Sequence, residues 1–175
     1  MKQKFLLTIV FCLLAATAFP QTEETRKIIE LGREPCGNFM ALMDAIFMEA
    51  RNSPDSKIYV VYYGRRYIRE IVQDKKTEVI KLKYPHREDG LNYAKSIPHY
   101  LTSSSRYKNE ADLVKDRIIL SNGGFREDLA IEIWVVPKDA EMPKLTPTLD
   151  EKDIKFSNLN PLKTPDYTDC YGGYE

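Results

Sequence analysis

Surplus charge is absent from this chain: 26 Lys and Arg balance 26 Asp and Glu, so no field of one sign covers it. Nucleic acid therefore has nothing global to attract it, and no nucleic-acid partner is expected. Cysteine and histidine are equally sparse, with three of one and two of the other. His86 and His99 keep no ligand-like spacing to Cys36 or Cys170, so neither a structural zinc site nor any other metal is expected. No internal repeat is present. The one glycine pair that resembles a phosphate cradle, Asn122-Gly123-Gly124, is followed by a strand pattern and not by a helix, which argues against a nucleotide or other cofactor.

Long apolar runs are missing too, apart from Phe5 to Ala16. That run is shorter than the roughly 20 residues needed to span a bilayer. Lys2 and Lys4 precede it, and Ala16-Thr17-Ala18 follows it, which together read as a secretory signal peptide over residues 1–18, cut after Ala18. A secreted or periplasmic protein without a membrane span is expected. Cys12 departs with the leader, and so do Lys2 and Lys4, leaving 24 basic side chains against 26 acidic ones. On the oxidising side Cys36 and Cys170 either form a disulfide or remain two thiols. Paired, they would close a long loop, a restraint of about 4 kcal/mol in the chain-entropy model.

The mature length suits one domain, expected over 38–136 after a lead-in over 19–37. Phe39, Leu42, Met43, Ile46, Phe47 and Ala50 recur at helical steps behind Asn38, which reads as an N-cap. Asn52-Ser53-Pro54-Asp55 ends that helix. Ile58-Tyr59-Val60-Val61-Tyr62-Tyr63 reads as a central strand buried on both faces, stopped by Gly64. Ile68–Val72 and Thr77–Leu82 around a polar break suggest a hairpin, although the first arm also suits a helix.

Leu91, Ala94, Ile97 and Leu101 share one face of a second helix that Pro98 should kink or delay. Arg117–Ser121 reads as a buried strand ended by Asn122-Gly123-Gly124. Leu129, Ile131, Ile133 and Val135 then alternate with Ala130, Glu132 and Trp134 in the clearest strand of the chain. From Pro137 the composition turns proline-rich and charged, so 137–175 is expected to be an extended or disordered tail, with Asp153–Phe156 as one short edge strand.

This order of elements resembles the OmpA-like peptidoglycan-associated domain over roughly Asn38 to Val136. The likeness is strongest where Leu91-Asn92-Tyr93-Ala94-Lys95-Ser96-Ile97-Pro98-His99-Tyr100-Leu101 leads to Asp116-Arg117-Ile118 and Gly123-Gly124. It implies an α/β (α+β) two-layer sandwich, with two helices on one face of a mixed sheet of about four strands. The ligand pair of that family is not carried over. Gly64-Arg65-Arg66 stands where its aspartate follows the strand, and Tyr93 stands where its arginine precedes the helix alanine. The chain is also similar to uncharacterised secreted bacterial proteins that share a Tyr-Gly-Arg-Arg turn, here Tyr63–Arg66, and a Gly-Gly-aromatic-Arg-Glu turn before a Trp-containing strand, here Gly123–Glu127.

Those two turns follow neighbouring strands, so Arg65, Arg66, Arg126 and Glu127 either converge on a rim that grips a partner's carboxylate or phosphate, or pair among their neighbours. Tyr59, Tyr62, Tyr63 and Tyr67 suit either a core or a contact surface. For catalysis the residues are poorly placed. Ser103-Ser104-Ser105 is a polar run, His86 and His99 have no readable nucleophile, and Glu88-Asp89 and Asp150-Glu151 lack partners at glycosidase spacing. The expected function is a non-enzymatic envelope-binding module for an envelope protein or cell-wall glycan. The competing class is a secreted hydrolase acting on cell-wall material through His86 or His99.

Overall fold

A computed structural model describes residues 24–158 except 33–35, 75–76, 104–106, 108 and 110. The expected leader, Cys12, the Cys36–Cys170 pairing and residues 159–175 lie outside the described residues or depend on ones that do. Within them six strands and three helices follow in order. They are β1 (Arg26–Leu31), α1 (Cys36–Asn52), β2 (Lys57–Arg65), β3 (Ile68–Asp74), β4 (Thr77–Lys83), α2 (Asp89–Ser103), α3 (Asp112–Lys115), β5 (Ile118–Arg126) and β6 (Ala130–Val136).

Four strands form a mixed sheet in the order β1-β6-β2-β5, with β3 and β4 in a separate two-stranded sheet. β6 runs antiparallel to both β1 and β2, whereas β2 and β5 are parallel. The two long helices pack on one face of the larger sheet, which gives the expected two layers. From the sheet come Ile58, Val60, Ile131 and Ile133, and from the helices Phe39, Met43, Ile46, Ala94 and Ile97, all fully buried. The helical spacing of these side chains is the physical reason both segments are helices, since only that spacing lays them along one stripe. An aromatic run closes the end of this core, with Phe39 edge-on to Tyr100 at 5.4 Å and Phe47 stacked on Tyr107 at 4.7 Å. Arg117 ties the layers together. Its guanidinium donates to Ala50 O at 2.7 Å and Ser56 O at 2.8 Å, satisfying carbonyls at and beyond the last turn of α1. Burial pushes the pKa of this guanidinium down.

Several boundaries differ from the sequence reading. α1 opens at Cys36, which places Asn38 inside its first turn and not before it; the apolar stripe begins only at Phe39 and leaves the first turn unspecified. α2 opens at Asp89 and is continuous through Pro98. Here Ile97, Tyr100 and Leu101 are buried on either side of the proline, and packing outweighs the missing backbone donor. β2 is a central strand with Ile58, Val60, Val61 and Tyr63 fully buried, but Gly64 does not end it. Nor do the glycines end β5. Tyr62 lies opposite Asn122 and Tyr63 opposite Gly124, so Gly123 is an extra residue in a β-bulge, and the strand continues to Arg126. The Asn122 side chain accepts from Gly124 N–H at 2.9 Å, and Gly124 takes φ of 92°, which favours glycine. β3 and β4 are the two arms of the expected hairpin, both extended.

The segment after Pro137 is extended, as one of the two expectations had it, but it is packed and lacks the edge strand. It runs extended to a bridge between Leu149 and Phe125, then makes a 3-10 turn over Glu151–Asp153 in place of an edge strand. Asp150 sets that turn by accepting from Lys152 N–H at 3.2 Å. Pro143 and Ile154 are buried, and Phe156 lies 5.6 Å from the Phe125 ring. The packed body therefore extends past Val136 as far as Ser157. A few well-spaced apolar residues suffice for a strap that lies on a preformed sheet, whereas they could not hold a separate unit.

Candidate functional site

The fold brings the four expected site residues to one end of the sheet and divides them chemically. Arg65 and Arg126 stand opposite one another at the ends of β2 and β5. Arg65 nevertheless bonds Asp89, at the start of α2, at 3.0 Å, and the two side chains are only 13% and 6% exposed. Its Nε is buried without a hydrogen-bond partner. Arg66 pairs with Glu127 at 3.0 Å on the open surface, where such a pair contributes little. Arg126 belongs to a third group, buried beneath the strap. No shared anion-gripping rim forms, because each guanidinium already faces a carboxylate of its own chain.

The group around Arg126 centres on Glu132, 2% exposed on the sheet face opposite the helices. Alternation along β6 puts Ile131 and Ile133 into the core and turns Glu132 the other way. There its carboxylate accepts from Arg126 at 2.8 Å, Tyr63 OH at 3.0 Å, Trp134 Nε1 at 3.1 Å and Lys27 Nζ at 3.3 Å. Arg126 also reaches Glu30 at 2.8 Å and lies 3.6 Å from the centre of the Tyr63 ring. The strap closes over this group at Thr146, whose carbonyl accepts from Arg126 Nε at 3.1 Å and whose N–H donates to Tyr63 OH at 3.2 Å. Burial alone pushes the Glu132 carboxyl up, yet the bonds from Arg126, Trp134, Tyr63 and Lys27 outweigh it, and the group sits below its ordinary value. Burial likewise works against Arg126, and Glu132 more than restores its charge. The hydrogen bond to Glu30 raises Lys27 against a smaller desolvation. Glu132 and Arg126 are turned inward, with Lys27, Glu30 and Thr146 at the more exposed margin, and the bonds among them fasten strap to sheet.

The β3–β4 hairpin has the opposite character. Arg69 stands opposite Leu82, and the Tyr67 ring lies 6.4 Å from that of Tyr84, so alternation places Tyr67, Arg69, Ile80, Leu82 and Tyr84 on one side. On that side Ile80 is 63% exposed, Leu82 60% and Tyr84 44%. On the other side Ile68, Glu70 and Val72 of β3 are only partly exposed, whereas Val79, Lys81 and Lys83 of β4 are exposed. An exposed aliphatic and aromatic strip on a two-stranded sheet is unusual, because such a hairpin is marginal in water without a covering layer. The sequence located this hairpin but not its outward face. The signal was present: Ile80, Leu82 and Tyr84 alternate with Lys81 and Lys83, yet alternation alone does not say whether the apolar side meets a core.

His99 is exposed, and its Nδ1 lies 3.4 Å from Ser103 Oγ; among the described residues neither histidine is joined to a carboxylate. Also among them, no His, Cys, Asp and Glu residues gather in a metal-binding group, and no helix is long and apolar enough to cross a membrane. No family model, no curated protein and no solved structure matches the chain.

Proposed function

We propose that this protein is an exported, non-enzymatic binding module of the bacterial cell envelope, and that it meets its partner through the outward face of the β3–β4 hairpin. The observation that carries this reading is the exposure of Ile80, Leu82 and Tyr84 on a sheet separate from the main body. Apolar and aromatic side chains in such a strip supply the desolvated centre of a protein interface, and tyrosine adds a hydrogen-bonding tip. The arginine rim is a weaker candidate, since its charges are spent within the chain. The likeness to the OmpA-like domain stays an analogy of architecture, supported by two helices on one sheet face. Even the charged pair at the strand end is reversed here, with the base on β2 and the acid on the helix.

The test is capture from a native envelope extract, scored for bound protein and bound glycan. The I80K/L82K variant should retain less than about a tenth of wild-type capture, given that loss of a few anchors removes most interface energy. Its thermal midpoint should stay near that of the wild type, because both positions are exposed. R66A/E127A should capture normally. Full capture by I80K/L82K, or loss in R66A/E127A, would return the contact to the rim or elsewhere.

A further inference from the structure

We propose that the protein self-associates through the open edge of β5, where a second copy pairs antiparallel and joins the two larger sheets into one continuous sheet. In the order β1-β6-β2-β5 the edges are β1 and β5. β1 is blunted by Arg26, Lys27 and Glu30, a common protection of an edge against stray strand pairing. β5 carries no such guard. From Ile118 to Phe125 it holds neither a charged residue nor a proline, and Ile118, Ile119, Leu120 and Ser121 are half-buried beside an exposed Asn122. The strap closes this edge only at its far end, where Phe125 O accepts from Thr148 N–H at 3.0 Å and Leu149 N–H at 3.1 Å.

Ile58 N–H donates to Arg117 O at 2.9 Å. Along a strand the N–H and C=O of one residue point the same way and those of the next point oppositely. Arg117, Ile119 and Ser121 therefore serve β2, while Ile118, Leu120 and Asn122 turn their backbone groups to the open edge. Among the described residues no other segment bonds those three. They are symmetric about Leu120, which is why a second copy fits. A two-fold axis there sets Leu120 against Leu120 of the copy and Ile118 against its Asn122, so every outward N–H and C=O of both chains finds a partner. A charged strand would bury its charge unpaired against Ile119 and Leu120, whereas a copy brings none. The chain as a whole, with 26 basic against 26 acidic side chains, does not repel itself. The open edge is short, about 17 Å, and buries less than the ~800 Å² per partner of a stable complex, so the dimer forms reversibly with a Kd on the order of 10 µM.

Sedimentation velocity and residue-resolved hydrogen exchange of the intact chain, from about 1 to about 300 µM, are the test. The mass should rise from monomer towards dimer. Over that range the amides of Ile118, Leu120 and Asn122 should slow about fivefold, while those of Ile119 and Ser121, already bonded to β2, stay unchanged. A monomer at every concentration overturns the proposal, as does slowing that is equal at alternate positions. Leu120→Lys and Leu120→Glu should each be monomeric, since each sets two like charges together at the axis, and an equimolar mixture of the two should dimerise. A mixture that stays monomeric refutes the axis at Leu120; the wild-type exchange pattern is independent of how these variants fold. I80K/L82K should dimerise as the wild type does, and loss of the dimer there would move the contact to the hairpin.

Discussion

Replacing Arg126 with alanine should lower the stability of the fold by about 3–5 kcal/mol at neutral pH, read from urea unfolding. The basis is the cost of stripping one partner from a buried ion pair and leaving the other uncompensated. Glu132 would keep only the bonds from Tyr63, Trp134 and Lys27, and the strap would lose the two that Arg126 donates to Thr146. Acid should expose the cause. In the wild type the Glu132 carboxyl is held below its ordinary value near 4.5, so its contribution is complete above that pH and drains away as the pH falls through the native value. Without Arg126 the largest of the bonds that lower the carboxyl is gone, so the group is held down less and the variant gains less stability as the pH climbs out of the acid range. The gap between the two proteins should therefore narrow below pH about 4.5. A constant gap from pH 7 to pH 3 would show that Arg126 acts by packing alone.

Gly123→Ala should cost about 1–3 kcal/mol or more, the range for an added methyl group in a filled interior. A Cβ at this position would stand 2.5 Å from the Tyr63 ring. The ring cannot give way cheaply, because it is fully buried, lies under Arg126 and is fixed at its hydroxyl by Glu132 and Thr146. Gly37→Ala is the counterpart. It is an exposed position within α1 where an added methyl group meets open space, and should gain up to about 1 kcal/mol from helix propensity. Similar thermal midpoints for the two variants would mean that the bulge tolerates a side chain.

The sequence carried the core well, because periodicity reports burial. The stripe from Phe39 to Ala50 and the run from Ile58 to Tyr63 lie where their spacing places them. The glycines misled because Gly64 and Gly123 are needed for close approach of the Phe125 and Tyr63 rings and not for reversal of the chain. Glu132 was visible as a polar residue on an alternating strand, which ordinarily means solvent. Only the strap, a segment with too few apolar residues to declare itself, makes that face an interior. For the same reason the partners of Arg65 and Arg126 were illegible, since Asp89 and Thr146 reach them only through the tertiary arrangement.

The parallel pairing of β2 with β5 also bears on how the chain assembles. Ile58 lies opposite Ile118, and the hairpin and α2 are both contained in the intervening chain. Closing so wide a loop costs entropy before any of its contacts form, which sets a slow collapse to the native topology for a chain of this size. The hairpin, made of near neighbours, has no such delay. Its strands pair and open quickly while the wide loop is still unclosed, so the exposed Ile80 and Leu82 are a hazard of premature association during biogenesis.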